Sequence, residues 1–179
     1  TYLSMLPNRP TLAADGVSTL PLTVNVVDAY GNPAGGFVTL ASNMGTSVSP
    51  PSGALQNGLF QSALAAGTVA GTANLTATIA SAIGGPAAIT ETFPVRLKAG
   101  PPAIMLPTLD RYPARLVADG RDHLTLSLRV LDRFSNPVDD GTAVDFRLQP
   151  GYGALSTGRA TTTAGPPPRP TPMLIRPPE

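Results

Sequence analysis

Few residues in this chain have the chemistry to act on a substrate. The single histidine, His123, falls on the polar side of an alternating run with Thr125 and Ser127. It has no second histidine with which to share a metal and no partners for a nucleophile–base–acid triad. Cysteine is absent, which removes thiol nucleophiles, thiolate metal ligands and disulfides together. Asp139-Asp140 with Asp110 or Asp145 would supply the oxygen ligands that calcium takes, but the spacing fits no calcium loop and reads as a solvated loop. No glycine-rich phosphate loop follows a strand and opens a helix. We therefore expect no catalytic residue, no metal and no cofactor.

Two carboxylates do stand out. Asp28 and Asp132 each end an apolar run and open a turn, Asp28-Ala29-Tyr30-Gly31-Asn32-Pro33 and Asp132-Arg133-Phe134-Ser135-Asn136-Pro137. Metal ligation or general-acid chemistry is the alternative for both, but turn chemistry explains them better. A short carboxylate accepts backbone N–H groups two residues on and so starts a turn. Gly31 and Asn32 tolerate positive φ, and Pro33 and Pro137 stop a ladder. With Ser135 where the first copy has Gly31, the second turn is expected to keep negative φ at that position.

The elements that carry these turns alternate with period two. Leu20, Leu22, Val24 and Val26 oppose Pro21, Thr23 and Asn25; Leu124, Leu126, Leu128 and Val130 oppose Thr125, Ser127 and Arg129. That pattern predicts strands with one face in a core and one in water. Pro21, lacking a ladder N–H, marks an edge or the start of the paired region. Further strands are expected at Tyr2–Leu6, Thr11–Ala13, Phe37–Ala41, Leu59–Leu64, Gly71–Ile79 and Ile89–Leu97. Pro50-Pro51-Ser52-Gly53 is expected to turn, Ala54–Gln56 to be a short strand at best, and Asn57-Gly58 to close a two-residue hairpin. Gly84-Gly85-Pro86 is a further turn. Strands this short and this closely spaced predict a β-sandwich.

The strand and turn recur at a spacing of 104 residues without a gap, from Ala14-Asp15-Gly16 against Ala118-Asp119-Gly120 to Pro33 against Pro137. A period this long makes each repeat a whole domain. Lys98 to Pro102, stiffened by proline, links them. The boundaries expected are 1–99, 100–165, and a Pro-rich tail over 166–179 that favours extended polyproline structure. The second unit has fewer residues after its turn proline than the first and reads as incomplete. Either the chain is cut short, or Met173-Leu174-Ile175 pairs within its own unit, or a neighbouring chain donates a strand.

Composition agrees. Aromatics make up 5% against 42% hydrophobic residues, so the cores are aliphatic; 21 prolines and 18 glycines punctuate an all-β chain. No run of 18 apolar residues is present to span a membrane as a helix. Net charge is +1 and acids interleave the arginines, which argues against nucleic acid as a partner. Residues 1–99 carry only three basic and three acidic side chains, so this half is expected to pack against neighbours in an assembly. Asn74-Leu75-Thr76 fits the N-glycosylation pattern, read here as a chance match.

The Ala-Asp-Gly, the alternating strand and the Asp-x-x-Gly-Asn-Pro turn together resemble the bacterial immunoglobulin-like domains of the intimin and invasin kind. The resemblance covers nearly all of residues 1–99 and roughly 103–165. It implies two tandem immunoglobulin-like β-sandwiches, the second incomplete, in an extracellular or cell-surface protein of a bacterium. It brings no catalytic residues. The role it implies is a stalk, surface-layer or filament component whose partners are copies of itself or other surface proteins. An adhesion or carbohydrate-binding module, or an accessory domain of a secreted enzyme, is the alternative.

Overall fold

The computed structural model describes residues 2–8, 10–80, 88–112, 115–117, 119, 121–150 and 153–163, and the backbone of 173–176. The chain divides into two compact units, Thr1–Ala99 and Gly100–Glu179. Among the described residues every regular element is a strand.

In the first unit the strands are β1 (Tyr2–Leu6), β2 (Thr11–Ala13), β3 (Thr19–Val27), β4 (Phe37–Ser42), β5 (Ser47–Ser49), β6 (Ser52–Ala54), β7 (Leu59–Ala65), β8 (Gly71–Ala80) and β9 (Ile89–Lys98). They form two sheets, ordered β1-β3-β7-β5 and β2-β9-β8-β4-β6. Alternation decides which side chains meet. Leu22, Val24 and Val26 of β3 and Leu64 of β7 face Val38 and Leu40 of β4, Ala73, Leu75 and Ala77 of β8, and Val95 and Leu97 of β9 in one buried cluster. Each Leu or Val so buried contributes about 1.5–3 kcal/mol. This is an all-β, immunoglobulin-like sandwich. On the outer face of β8 and β9 the opposite residues are threonines, whose hydroxyls meet across the strands at 3.4 Å (Thr76 with Thr92) and 3.1 Å (Thr78 with Thr90).

Pro21 sits where its missing N–H does least harm. β3 is flanked by β7 along its length from Thr19, but β1 reaches only as far as Thr23, so β3 has one neighbour at the proline. Asn57 and Gly58 both have positive φ, 50° and 75°, and Gln56 and Leu59 exchange backbone hydrogen bonds of 2.8 and 3.0 Å. That is the two-residue hairpin expected of Asn-Gly. One expectation fails nearby. Ser52 and Gly53, read as turn, are paired in β6 against Thr39 and Val38, and Ala54 ends the strand instead of opening it. The cause is not local: a Cβ on Gly53 would stand 2.5 Å from the Phe60 ring, so this glycine serves close packing, not a turn.

The second unit has β10 (Ile104–Leu109), β11 (Leu124–Leu131), β12 (Ala143–Asp145), β13 (Ala154–Leu155), β14 (Arg159–Thr161) and β15 (Met173–Arg176). They form one sheet ordered β10-β11-β15-β13 and a second, β12-β14, all antiparallel. The tail as a whole was expected to favour extended polyproline structure, with pairing of Met173-Leu174-Ile175 inside its own unit as one of three ways to complete that unit. Met173, Leu174 and Ile175 do pair, with Leu126, Thr125 and Leu124 of the same chain. The rest of the tail, and the Gly84-Gly85-Pro86 turn, lie outside the described residues.

Candidate functional site: the aspartate-anchored turns

The turns at the ends of β3 and β11 are built alike, atom for atom over six hydrogen bonds. In the first, Asp28 Oδ1 accepts the N–H groups of Tyr30 (2.8 Å) and Asn32 (2.9 Å), and Oδ2 accepts the Asn32 side-chain amide (3.1 Å). The Asp28 N–H donates to Asn32 O, the Gly31 N–H to Asp28 O, and the Ala34 N–H to Val26 O, at 2.9, 3.3 and 3.0 Å. In the second, Asp132 Oδ1 accepts from Phe134 (2.8 Å) and Asn136 (2.9 Å), and Oδ2 from the Asn136 amide (2.9 Å). The backbone bonds from Asp132 to Asn136, Ser135 to Asp132 and Val138 to Val130 follow at 2.8, 3.1 and 3.2 Å. Pro33 and Pro137 bridge back to Val27 and Leu131, and the next residue in each copy makes the closing backbone bond.

Ser135 corrects the sequence reading. Its φ is +68°, close to the +85° of Gly31. The shared hydrogen-bond set demands the left-handed conformation at this position whatever residue occupies it, and serine adopts it at a cost glycine does not carry.

The two turns differ in depth. Asp132 has no exposed surface and Asn136 is 7% exposed, whereas Asp28 is half-buried. Asp132 is also held by a seventh bond, from the Gly100 N–H to Oδ2 at 2.9 Å. Burial pushes the Asp132 carboxyl up, but the Asn136 amide and the N–H groups of Gly100, Asn136 and Phe134 outweigh it and hold the group below the usual carboxylate range. Asp28 is lowered chiefly by the Asn32 side-chain amide and then by the Asn32 N–H. Arg133 lies over the Phe134 ring, 4.5 Å from its centroid.

A second carboxylate turn precedes each strand, at Asp15 and at Asp119 of the repeat. Asp15 Oδ1 accepts the N–H groups of Val17 (2.9 Å) and Ser18 (2.7 Å), and Oδ2 the Ser18 hydroxyl (2.6 Å). These bonds, the hydroxyl foremost, lower its pKa from 3.8 to about 2. Asp119 Oδ1 takes the N–H groups of Arg121 and Asp122, both at 2.8 Å. Where the first copy has Ser18, the second has Asp122, which accepts the Arg111 guanidinium at 2.8 Å through both oxygens and the Val117 N–H. The serine three residues after Asp15 was the available signal. Ala118 and Gly120 lie outside the described residues.

The remaining polar residues do not converge. His123 is exposed, with its Nδ1 3.4 Å from Arg121 O. Asp145 pairs with Arg159 at 3.6 Å, both well exposed, and Asp139 offers its backbone carbonyl to the hydroxyls of Thr142 and Thr162. Among the described residues no three His, Cys, Asp or Glu side chains are grouped to hold a metal ion. A carboxylate that already accepts three or four N–H groups is a weak base and is anionic throughout the neutral range, so what these groups do is orient backbone.

Residues 3–95, just over half of the chain, match the family model described as invasin, domain 3. No curated protein matches. Among solved structures, the D0-D1 domain of intimin is 18% identical over 90% of this chain and 78% of its own, with a TM-score of 0.40. Invasin, described as a bacterial integrin-binding protein, is 18% identical over 90% of this chain and 33% of its own, with a TM-score of 0.40. A glycosyl hydrolase family 2 member from Bacteroides cellulosilyticus is 17% identical over 52% of this chain, with a TM-score of 0.42, and the chain spans 14% of that protein.

Proposed function

This chain belongs to the invasin domain 3 family of bacterial immunoglobulin-like domains, and from that premise we propose that it is a non-enzymatic structural module of a bacterial cell surface. It would space or join other parts as a stalk, surface-layer or filament component, with residues 1–99 and 100–179 as tandem units, the second taking in β15 of the Pro-rich segment. One observation carries the reading. The same strand and turn occur twice in register, and in both copies the carboxylates that stood out in the sequence are engaged by their own backbone. The test is protease shaving of intact cells that make the protein. Release of fragments of this chain from unbroken cells is expected; protection until the cells are lysed would overturn the proposal.

Its partners are copies of itself or other surface proteins. Joining by strand exchange would use the β11–β15 pairing, which the chain here makes with itself. Sedimentation at rising concentration separates these cases: a monomer throughout rules out self-joining. The adhesion or carbohydrate-binding reading has one observation in its favour. Tyr2 (68% exposed) lies opposite Val27, beside the turn that displays Tyr30 (90% exposed). Loss of glycan or cell binding in a Tyr2→Ala, Tyr30→Ala double variant would establish it, with carbohydrate as the class of ligand that stacks on such rings.

A further inference from the structure

The two aspartate turns share six hydrogen bonds and differ in the seventh. Asp132 Oδ2 accepts two donors, the Asn136 amide and the Gly100 N–H, each at 2.9 Å. Asp28 Oδ2 accepts the Asn32 amide at 3.1 Å. The side chain that holds the seventh bond is fully buried; its counterpart is half-buried.

The donor has a defined place in the chain. Gly100 lies ahead of β10, and β10 lies on β11 as β1 lies on β3. Ile104 is opposite Leu131 and Tyr2 opposite Val27, the residue before the turn aspartate in each case. By that register Gly100 corresponds to the third position ahead of Thr1. We propose that Asp28 is a docking site for a backbone N–H carried by a linker segment of the Ala-Gly-Pro kind, entering the first unit ahead of β1 as Ala99-Gly100-Pro101 enters the second. The aspartate turn is then a socket that each unit offers to the linker in front of it.

The chemistry of recognition is narrow. The acceptor is an anionic oxygen already oriented by its own turn, so an incoming N–H forms a charge-assisted bond without ordering the carboxylate first. A side chain matters less: a Cβ on Gly100 would meet Asp132 Oδ2 at 3.6 Å and its Cβ at 3.7 Å, ordinary contact distances. The socket therefore selects for an N–H and against proline at that one position, and it tolerates alanine. It stands whether the chain acts as a spacer or as a binding module.

The test adds Ala-Gly-Pro-Pro ahead of Thr1 of the full chain and compares it with Ala-Pro-Pro-Pro, which lacks only the donor. By amide hydrogen exchange the added glycine is expected to be protected at least about tenfold over an unstructured peptide. Protection is expected to vanish with Asp28→Ala while the amides of Val24 and Leu75 stay protected. A glycine amide that exchanges freely, or one whose protection survives Asp28→Ala, overturns the proposal. Should that variant not fold, the Asp28 titration decides: a lower pKa with the glycine extension than with the proline one supports the socket, and identical titrations overturn it.

Discussion

An aspartate that organises a turn is as useful as it is well buried, and the two copies in this chain differ in depth and in the seventh bond that Asp132 accepts from Gly100. Replacing Asp132 with alanine leaves four donors, on Gly100, Phe134 and Asn136, without their acceptor. The second unit is expected to lose about 3 kcal/mol, read as an earlier urea transition of its resonances, and Asp28→Ala to cost the first unit less. Ser135→Gly works in the opposite direction. It relieves a left-handed serine at φ +68° and is expected to stabilise the second unit by roughly 0.5–1 kcal/mol, after the extra freedom of glycine in the unfolded chain is deducted. Acid tests the Asp15 turn. Its folded pKa of about 2 lies below the ordinary 3.8, so its contribution is complete above about pH 4 and is lost as pH falls toward 2. The urea midpoint of the first unit should decline through that window, and Ser18→Ala should flatten the decline. The two Asp-x-x-x-Asn turns were legible because their chemistry is local. The sign of φ at Ser135 was not, because it is imposed by the hydrogen-bond set and not by the residue.

Among the elements, alternation located the long strands well, since β3 and β8 bury every second residue and burial is what alternation records. What it missed was pairing between distant segments. β6 was misplaced because its glycine answers to Phe60, and nothing near Gly53 in sequence announces that. The parallel pairing of β2 with β9 joins residues more than eighty apart and leaves no periodic trace in a three-residue strand. The Asn57-Gly58 hairpin is the converse case, visible in two letters. Gly58 also packs where a Cβ would stand 2.6 Å from Val26 O and 3.1 Å from Pro33 Cα. Gly58→Ala is therefore expected to cost about 2–3 kcal/mol, from strain at positive φ plus displacement of the first turn. Asn57→Gly, which keeps the φ without a clash, should cost little; thermal unfolding of both variants checks the contrast.

For the whole molecule, every described member of the core cluster that runs from Met5 to Leu97 belongs to the first unit. Residues 1–99 alone are accordingly expected to give a dispersed, cooperatively melting NMR spectrum. A collapsed spectrum would mean that this core needs the second unit to form. The pairing of β2 with β9 has a mechanical meaning for such a unit. These strands lie near its two ends, run in the same direction, and are joined through Thr11–Arg96, Leu12–Leu97 and Ala13–Lys98, with further bonds from Arg96 to Pro10 and Ala14 to Lys98. Tension drawn between the ends of the unit pulls these two strands past each other along their length. The bonds of the ladder are then loaded in shear, all at once, instead of being peeled one by one, so the first unit is fastened against stretching along its own chain.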